Sequence, residues 1–147
     1  MQETTGDLWR FHETGHWIAI PTNGTLRQDG QLVMGAGVAK QARDRFAMLP
    51  LLLGDLIRCF GNQVVAVSSL RIAAFPTKHD WRASACPGLI AKSCIELGRY
   101  LTQFEIAKIY LPRVGAGLGG LEWEQVRALI APLLDDRITI VEYPHAA

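Results

Sequence analysis

LPRVGAGLGGLEW, residues 111–123, decides how this chain is read. The apolar run at 106–111 leads into it, and a helix-period pattern from Leu121 follows it. Between them stand Gly115, Gly117, Gly119 and Gly120. Strand, glycine loop and helix in that order make an anion cradle. Glycine lets the backbone approach closely, bare N–H groups point at the ligand, and the helix adds its positive end. A second stretch, MGAGVA at 34–39, also places a loop before a helix. The pair suggests a ligand with two phosphates, and the competing reading is two ordinary turns.

Working outward, residues 87–104 carry a helix, because Leu89, Ile90, Cys94, Leu97, Leu101 and Phe104 recur at three- and four-residue steps. Residues 64–67 and 72–75 read as strands joined by a hairpin-like turn at 68–71. Residues 16–22, HWIAIPT, form a buried strand that Pro21 brings to an end. A loop from Asn23-Gly24 runs to the second glycine stretch, and a helix begins at Gly37 with Lys40, Arg43, Asp44 and Arg45 on its wet face. Residues 49–59 form a second, buried helix that Pro50 starts and Gly61 ends. Downstream, Trp123, Val126, Ile130 and Leu133 mark one helix face, which Pro132 kinks or ends, and Trp123 is expected in the core. RITIVEY at 137–143 is the last strand, and 144–147 is a loose tail. At the other end, Gly6-Asp7-Leu8 opens a segment to Phe11 that is an edge strand or the turn before one. Strands alternating with helices predict a single α/β domain over 1–147, with the binding crevice at the carboxyl ends of the strands.

Composition narrows the function. The chain has 147 residues, 49% hydrophobic and 20% charged, enough for a globular core. A net charge of +1 excludes the broad basic field that long nucleic-acid tracts require, so any such contact is local. No apolar run approaches a membrane span, and the polar first ten residues are not a signal peptide. Cys59, Cys86 and Cys94 have no metal spacing and read as free, buried thiols of a cytoplasmic protein. His12, His16, His79 and His145 form no zinc signature, so no metal and no cofactor is expected.

Three stretches together resemble the macro domain family: NGTLRQDGQLVMGAGVA at 23–39, FPTKHDWR at 75–82, and the opening motif. The resemblance covers nearly the whole chain. It implies a three-layer α/β/α sandwich with a mixed, mostly parallel sheet that binds ADP-ribose. The last two stretches look most like the macro domains of DarG antitoxins, which remove ADP-ribose from DNA bases. PRVGAGL is also similar to terminal ADP-ribose glycohydrolases that act on acidic side chains. Carried over, Asp7 with Leu8 meets the adenine, and Asn23 meets the distal ribose. Gly35, Ala36, Gly37 and Val38, with Val114, Gly115, Ala116, Gly117 and Leu118, surround the diphosphate and distal ribose, and Arg113 after Pro112 is placed to meet a phosphate. Asp7 also reads as a turn or capping residue, Asn23 as a turn residue, and Arg113 as a strand-end cap. Thr77 and Lys78 fall in the FPTK segment, whose lysine is catalytic in the DarG-like group.

Breaking an ADP-ribosyl bond builds positive character at the anomeric carbon. A partly desolvated lysine amine attacks that carbon, or as an ammonium serves the leaving group; the sequence leaves both open. The protein-directed glycohydrolases carry an acidic residue after GxGL where this chain has Gly119, which favours the DarG-like reading. The segment 25–32 is longer than that group suggests and is expected to reshape the mouth. His79, Asp80, Trp81 and Arg82 are placed to touch the substrate beyond the ribose, Trp81 by stacking on a base or else as a surface aromatic. The expected partners are ADP-ribose, ADP-ribosylated DNA or protein, and a cognate ADP-ribosyltransferase toxin; no membrane is involved and a monomer is expected. Two other functions compete: a non-catalytic ADP-ribose reader, and a hydrolase of protein-linked ADP-ribose or of 1″-phosphate and O-acetyl derivatives.

Overall fold

Most of the apolar runs become strands and most of the three- and four-residue patterns become helices in a computed structural model that describes residues 1–144. The order is β1 (Gln2–Thr5), α1 (Leu8–Glu13), β2 (Trp17–Thr22), α2 (Gly37–Arg45), α3 (Leu49–Phe60), β3 (Val65–Val67), β4 (Ile72–Pro76), α4 (Pro87–Gln103), β5 (Ile109–Pro112), α5 (Trp123–Ile130) and β6 (Ile138–Glu142). One sheet runs β1-β6-β5-β2-β4-β3. Every pairing is parallel except β3 with β4. This is the expected mixed, mostly parallel sheet.

Side chains leave the two faces of the sheet alternately. Ala19, Ala73 and Phe75 pack beneath α4 and α5, against Ile90, Cys94, Leu97, Leu101, Val126 and Ile130. Ile18, Ile20, Ile72 and Ala74 pack on the other face against Leu8, Trp9, Ala42, Leu49, Leu53 and Ile57. Both faces are covered, so the central strands read as continuous apolar runs instead of alternating ones. Leu49, Leu53 and Ile57 are each no more than 5% exposed. Burying such a side chain stabilises by about 1.5–3 kcal/mol.

Four expectations need correction. Residues 8–11 belong to helix α1, and the edge strand lies earlier, at β1. Asp7 accepts a hydrogen bond from the Trp9 amide at 2.9 Å and caps that helix. The β5 strand starts at Ile109, not at residue 106. Trp123 is only half-buried, at the first turn of α5, with the Arg113 guanidinium 5.0 Å from its ring. Of the three free thiols only Cys94 is buried, its pKa pushed up to about 12 by burial, while Cys59 is exposed. Helix α5 ends at Ile130, two residues before Pro132. Of the expected loose tail, residues 145–147 lie outside the described residues, and His145 with them. Among the described residues no helix is long and apolar enough to cross a membrane, and no metal-holding cluster occurs.

The expected long segment at 25–32 has a definite seat. Leu26 bridges Leu32, Leu32 is 1% exposed, and the Leu32 amide donates to the Pro50 carbonyl at 2.9 Å. Helix α3 admits it at Gly54, where a Cβ would stand 2.0 Å from the Gly30 carbonyl oxygen. Only a residue with no side chain allows that approach.

Candidate functional site

Strands β5, β2 and β4 are parallel neighbours, so their carboxyl ends share one edge of the sheet. A cleft of about 570 Å³ opens there. Such crevices are where open α/β sheets hold ligands. Residues 35–38 line one wall and Gly115, Ala116, Leu118 and Gly119 another. Thr77, Lys78 and Trp81 close it from the β4 side.

The first glycine stretch works as a helix start. Helix α2 begins at Gly37, its N-cap is Ala36, and no side chain caps it. Its leading amides are therefore available, and the helix dipole is positive there. No acidic residue occupies the first turn. The second stretch works by conformation. Gly115 has φ of 76° and is buried, and Leu121 donates back to its carbonyl at 3.0 Å. A Cβ at Gly115 would meet Ile90 Cδ1 at 2.9 Å. The two stretches face each other: a Cβ at Gly37 would lie 3.4 Å from Leu118 Cδ1. Leu118 itself is 73% exposed, reaching across the opening.

Lys78 is held at its main chain. Its carbonyl accepts from Asn62 Nδ2 at 3.0 Å, just beyond Thr77, whose amide donates to the Thr22 carbonyl at 2.9 Å. The Thr77 carbonyl in turn accepts from the Cys86 amide at 2.8 Å. These bonds continue the β4 strand direction for two residues and set the half-buried Lys78 on the cleft wall. Gly24 fits against the same loop, since a Cβ there would lie 2.8 Å from both the His79 carbonyl oxygen and Asn62 Nδ2. Among the described residues that line the cleft there is no carboxylate and no imidazole. Lys78 and Arg113 are its ionisable side chains. Asp80, two residues from Lys78, is bound to Arg82 at 3.0 Å, and that partner holds its pKa down at about 2.

The sequence-predicted residues separate into groups. Asn23, Gly35, Ala36, Gly37, Val38, Thr77, Lys78, Arg113, Gly115, Ala116 and Leu118 line the cleft. Asp7, Leu8, Val114 and Gly117 do not line it. Leu8 and Val114 are core residues, 6% and 0% exposed. Asp7 stands at the same end of the sheet, where β1 gives way to α1. Asn23 spends its amide locally, donating to the Val33 carbonyl and accepting from the Thr25 amide, each at 3.0 Å. Arg113 pairs with Glu142 at 3.1 Å, on the side toward Trp123. The site residues read from the sequence omitted Pro21, Thr22, Val33, Met34, Ala39 and Pro112, which also line the cleft. Each sits at or beside a strand end or a glycine stretch, and that position was the available signal.

No protein-family model matches the chain. It is 42% identical over 105 residues to the DNA ADP-ribosyl glycohydrolase of Mycobacterium tuberculosis (strain ATCC 25618 / H37Rv), a match covering 64% of this chain and 29% of that protein. The chain thus spans less than a third of the length of the curated relatives it matches. Among solved structures it superposes on the macrodomain of Mycobacterium tuberculosis DarG with a TM-score of 0.74 at 27% identity, covering 99% of this chain and 97% of that one. Thermosipho africanus DarTG, solved in complex with ADP-ribose, gives a TM-score of 0.76 at 20% identity, covering 98% of this chain and 42% of that one. The chain has the fold of the macrodomains, and it is similar to the Mycobacterium tuberculosis DarG macrodomain in both structure and sequence.

Proposed function

We propose that this chain is an ADP-ribosyl glycohydrolase that frees ADP-ribose from a modified DNA base, with Lys78 as its catalytic residue. One observation carries the reading: the half-buried Lys78 shares a cleft with both glycine stretches and with no carboxylate among the described lining residues. The cleft is suited to an anion, and the similarity to a DNA ADP-ribosyl glycohydrolase points to the same class of substrate. The diphosphate lies between residues 35–38 and 115–118, which sets the distal ribose toward Lys78. Asp7 receives the adenine end, and Asn23 shapes the loop beside the ribose.

The chemistry then falls to one amine, since a guanidinium is neither a ready nucleophile nor a ready proton donor. Lys78 as a free amine adds to the anomeric carbon while the bond to the base breaks, and the base leaves with the proton that the amine gives up. The ribose ring opens to an imine with Lys78, the form that borohydride reduces, and water hydrolyses it to release ADP-ribose. Lys78 as an ammonium instead protonates the departing base while water attacks. The ADP-ribosyltransferase that installs the mark is the expected cognate partner.

Lys78→Ala tests the reading. Release of ADP-ribose from an ADP-ribosylated oligonucleotide should fall by about 10²- to 10⁴-fold, the range for losing a proton-transfer group. Calorimetric affinity for ADP-ribose should remain. Unchanged turnover would remove Lys78 from the mechanism. Borohydride added during turnover should trap a covalent species if the amine adds, and should trap none if it only moves a proton.

A further inference from the structure

We propose that Trp81 is a stacking platform for the nucleobase to which the ADP-ribose is joined, set in place by Thr25 of the long 25–32 segment; this rests on the hydrolase reading above. Trp81 lines the cleft together with Lys78 and is still 52% exposed. An indole left half in water is unremarkable on a protein surface. This one is fixed from two directions. Its amide donates to Thr25 Oγ1 at 3.0 Å, across 56 residues of chain. The Arg82 guanidinium lies 5.9 Å from its ring centroid. Arg82 is itself held by Asp80, with Nε to Oδ1 at 3.0 Å and Nη2 to Oδ2 at 3.3 Å, and its amide donates to the same carboxylate at 2.9 Å.

Thr25 sits at the start of a segment anchored on α3 through Leu32 and the Gly30–Gly54 approach. The hydroxyl that fixes the Trp81 main chain is therefore tied to the core, not to a loose loop. An aromatic whose neighbours are already in place stacks a ligand with little further ordering cost. The chemistry such a surface recognises is a flat heteroaromatic group. A nucleobase leaving from the ribose beside Lys78 has that π-face, and an acidic side chain leaving from the same ribose has none.

The test compares two substrates and one ligand: a single-stranded oligonucleotide bearing ADP-ribose on a base, a peptide bearing it on a glutamate, and free ADP-ribose. In Trp81→Ala the ratio of kcat/KM for the oligonucleotide over the peptide should fall by about tenfold or more, the loss expected from removing one base–aromatic stack. Trp81→Phe should restore most of the ratio, and Thr25→Val should lower it in the same direction by less. An unmoved ratio in Trp81→Ala would overturn the proposal, as would a ratio that Trp81→Phe fails to restore. The hydrolase reading fails separately, if the unsubstituted protein releases nothing from the oligonucleotide. In that event the Kd of the intact modified oligonucleotide, measured against that of free ADP-ribose, decides the matter. A preference for the oligonucleotide that disappears in Trp81→Ala sustains the platform, and no such preference overturns it.

Discussion

The glycine wall of the cleft meets the ligand space with main chain, while the wall from Lys78 to Trp81 meets it with side chains. The first wall rests on backbone conformation: a positive φ at Gly115, an uncapped helix start at Gly37, and a buried Val114 beneath. The second rests on cross-bracing by polar side chains, Asn62 to Lys78, Thr25 to Trp81 and Asp80 to Arg82. On the proposed reading the main-chain wall holds what every ADP-ribose has in common, its diphosphate. The side-chain wall then acts on what differs, the bond broken and the group released. Grip and choice would thus be housed in different parts of one cleft.

Substitutions should separate the two walls. The largest effect is expected at Gly54→Ala, because the new methyl group would collide with the Gly30 carbonyl, which is backbone and cannot swing aside. Overpacking of this kind costs about 3 kcal/mol or more. It should lower the chemical-denaturation midpoint while unseating the 25–32 segment, and an unchanged midpoint would mean that the segment moves freely. Gly115→Ala comes next, combining φ of 76° with the 2.9 Å approach to Ile90 Cδ1. A cost of about 1–3 kcal/mol is expected, with ADP-ribose affinity falling in step. Gly35→Ala should do the reverse. Nothing lies within 4 Å of a Cβ there, so thermal stability should hold while calorimetry shows ADP-ribose binding weakened about tenfold by the lost close approach. If Gly35→Ala left affinity intact, the main-chain wall would lose its claim to the diphosphate.

The smallest effect is a pH effect on the side-chain wall. Asp80 is drawn from 3.8 to about 2, first by its side-chain bond to Arg82. A depressed folded-state pKa gives a contribution that is complete above the unfolded value near 4 and is lost as pH falls through about 2. NMR titration of the Asp80 carboxyl should therefore show a midpoint near 2. A midpoint at the ordinary value would show that the Asp80–Arg82 pair does not hold in solution.

Much of this was legible in the sequence because the signals were local. The apolar centre at Ile18 to Ile20, the helix spacing from Leu89 to Leu101 and the Pro50 and Gly61 boundaries all lie within a few residues of what they govern. The first strand was missed because Gln, Glu and Thr at 2–5 make a polar edge with no apolar alternation. Helix α1 was missed because it is only six residues long and its cap, Asp7, had a competing reading as a ligand residue. The seat of the 25–32 segment was hidden for a different reason. A glycine inside a leucine-rich helix gives no sign of which backbone will arrive there, and the hydroxyl that meets Trp81 is 56 residues away. The motif around Lys78 anticipated its place on the cleft wall, while its bracing by Asn62 needed the fold.

The absence of acidic side chains from the described lining has a consequence for turnover. On the proposed reading, the nucleotide sugar freed by cutting the glycosidic bond keeps both phosphates, and no acidic side chain among the described lining residues repels it. The accumulating product then competes with fresh substrate for the same amides. Progress curves should flatten early, and flatten sooner when free ADP-ribose is present from the start.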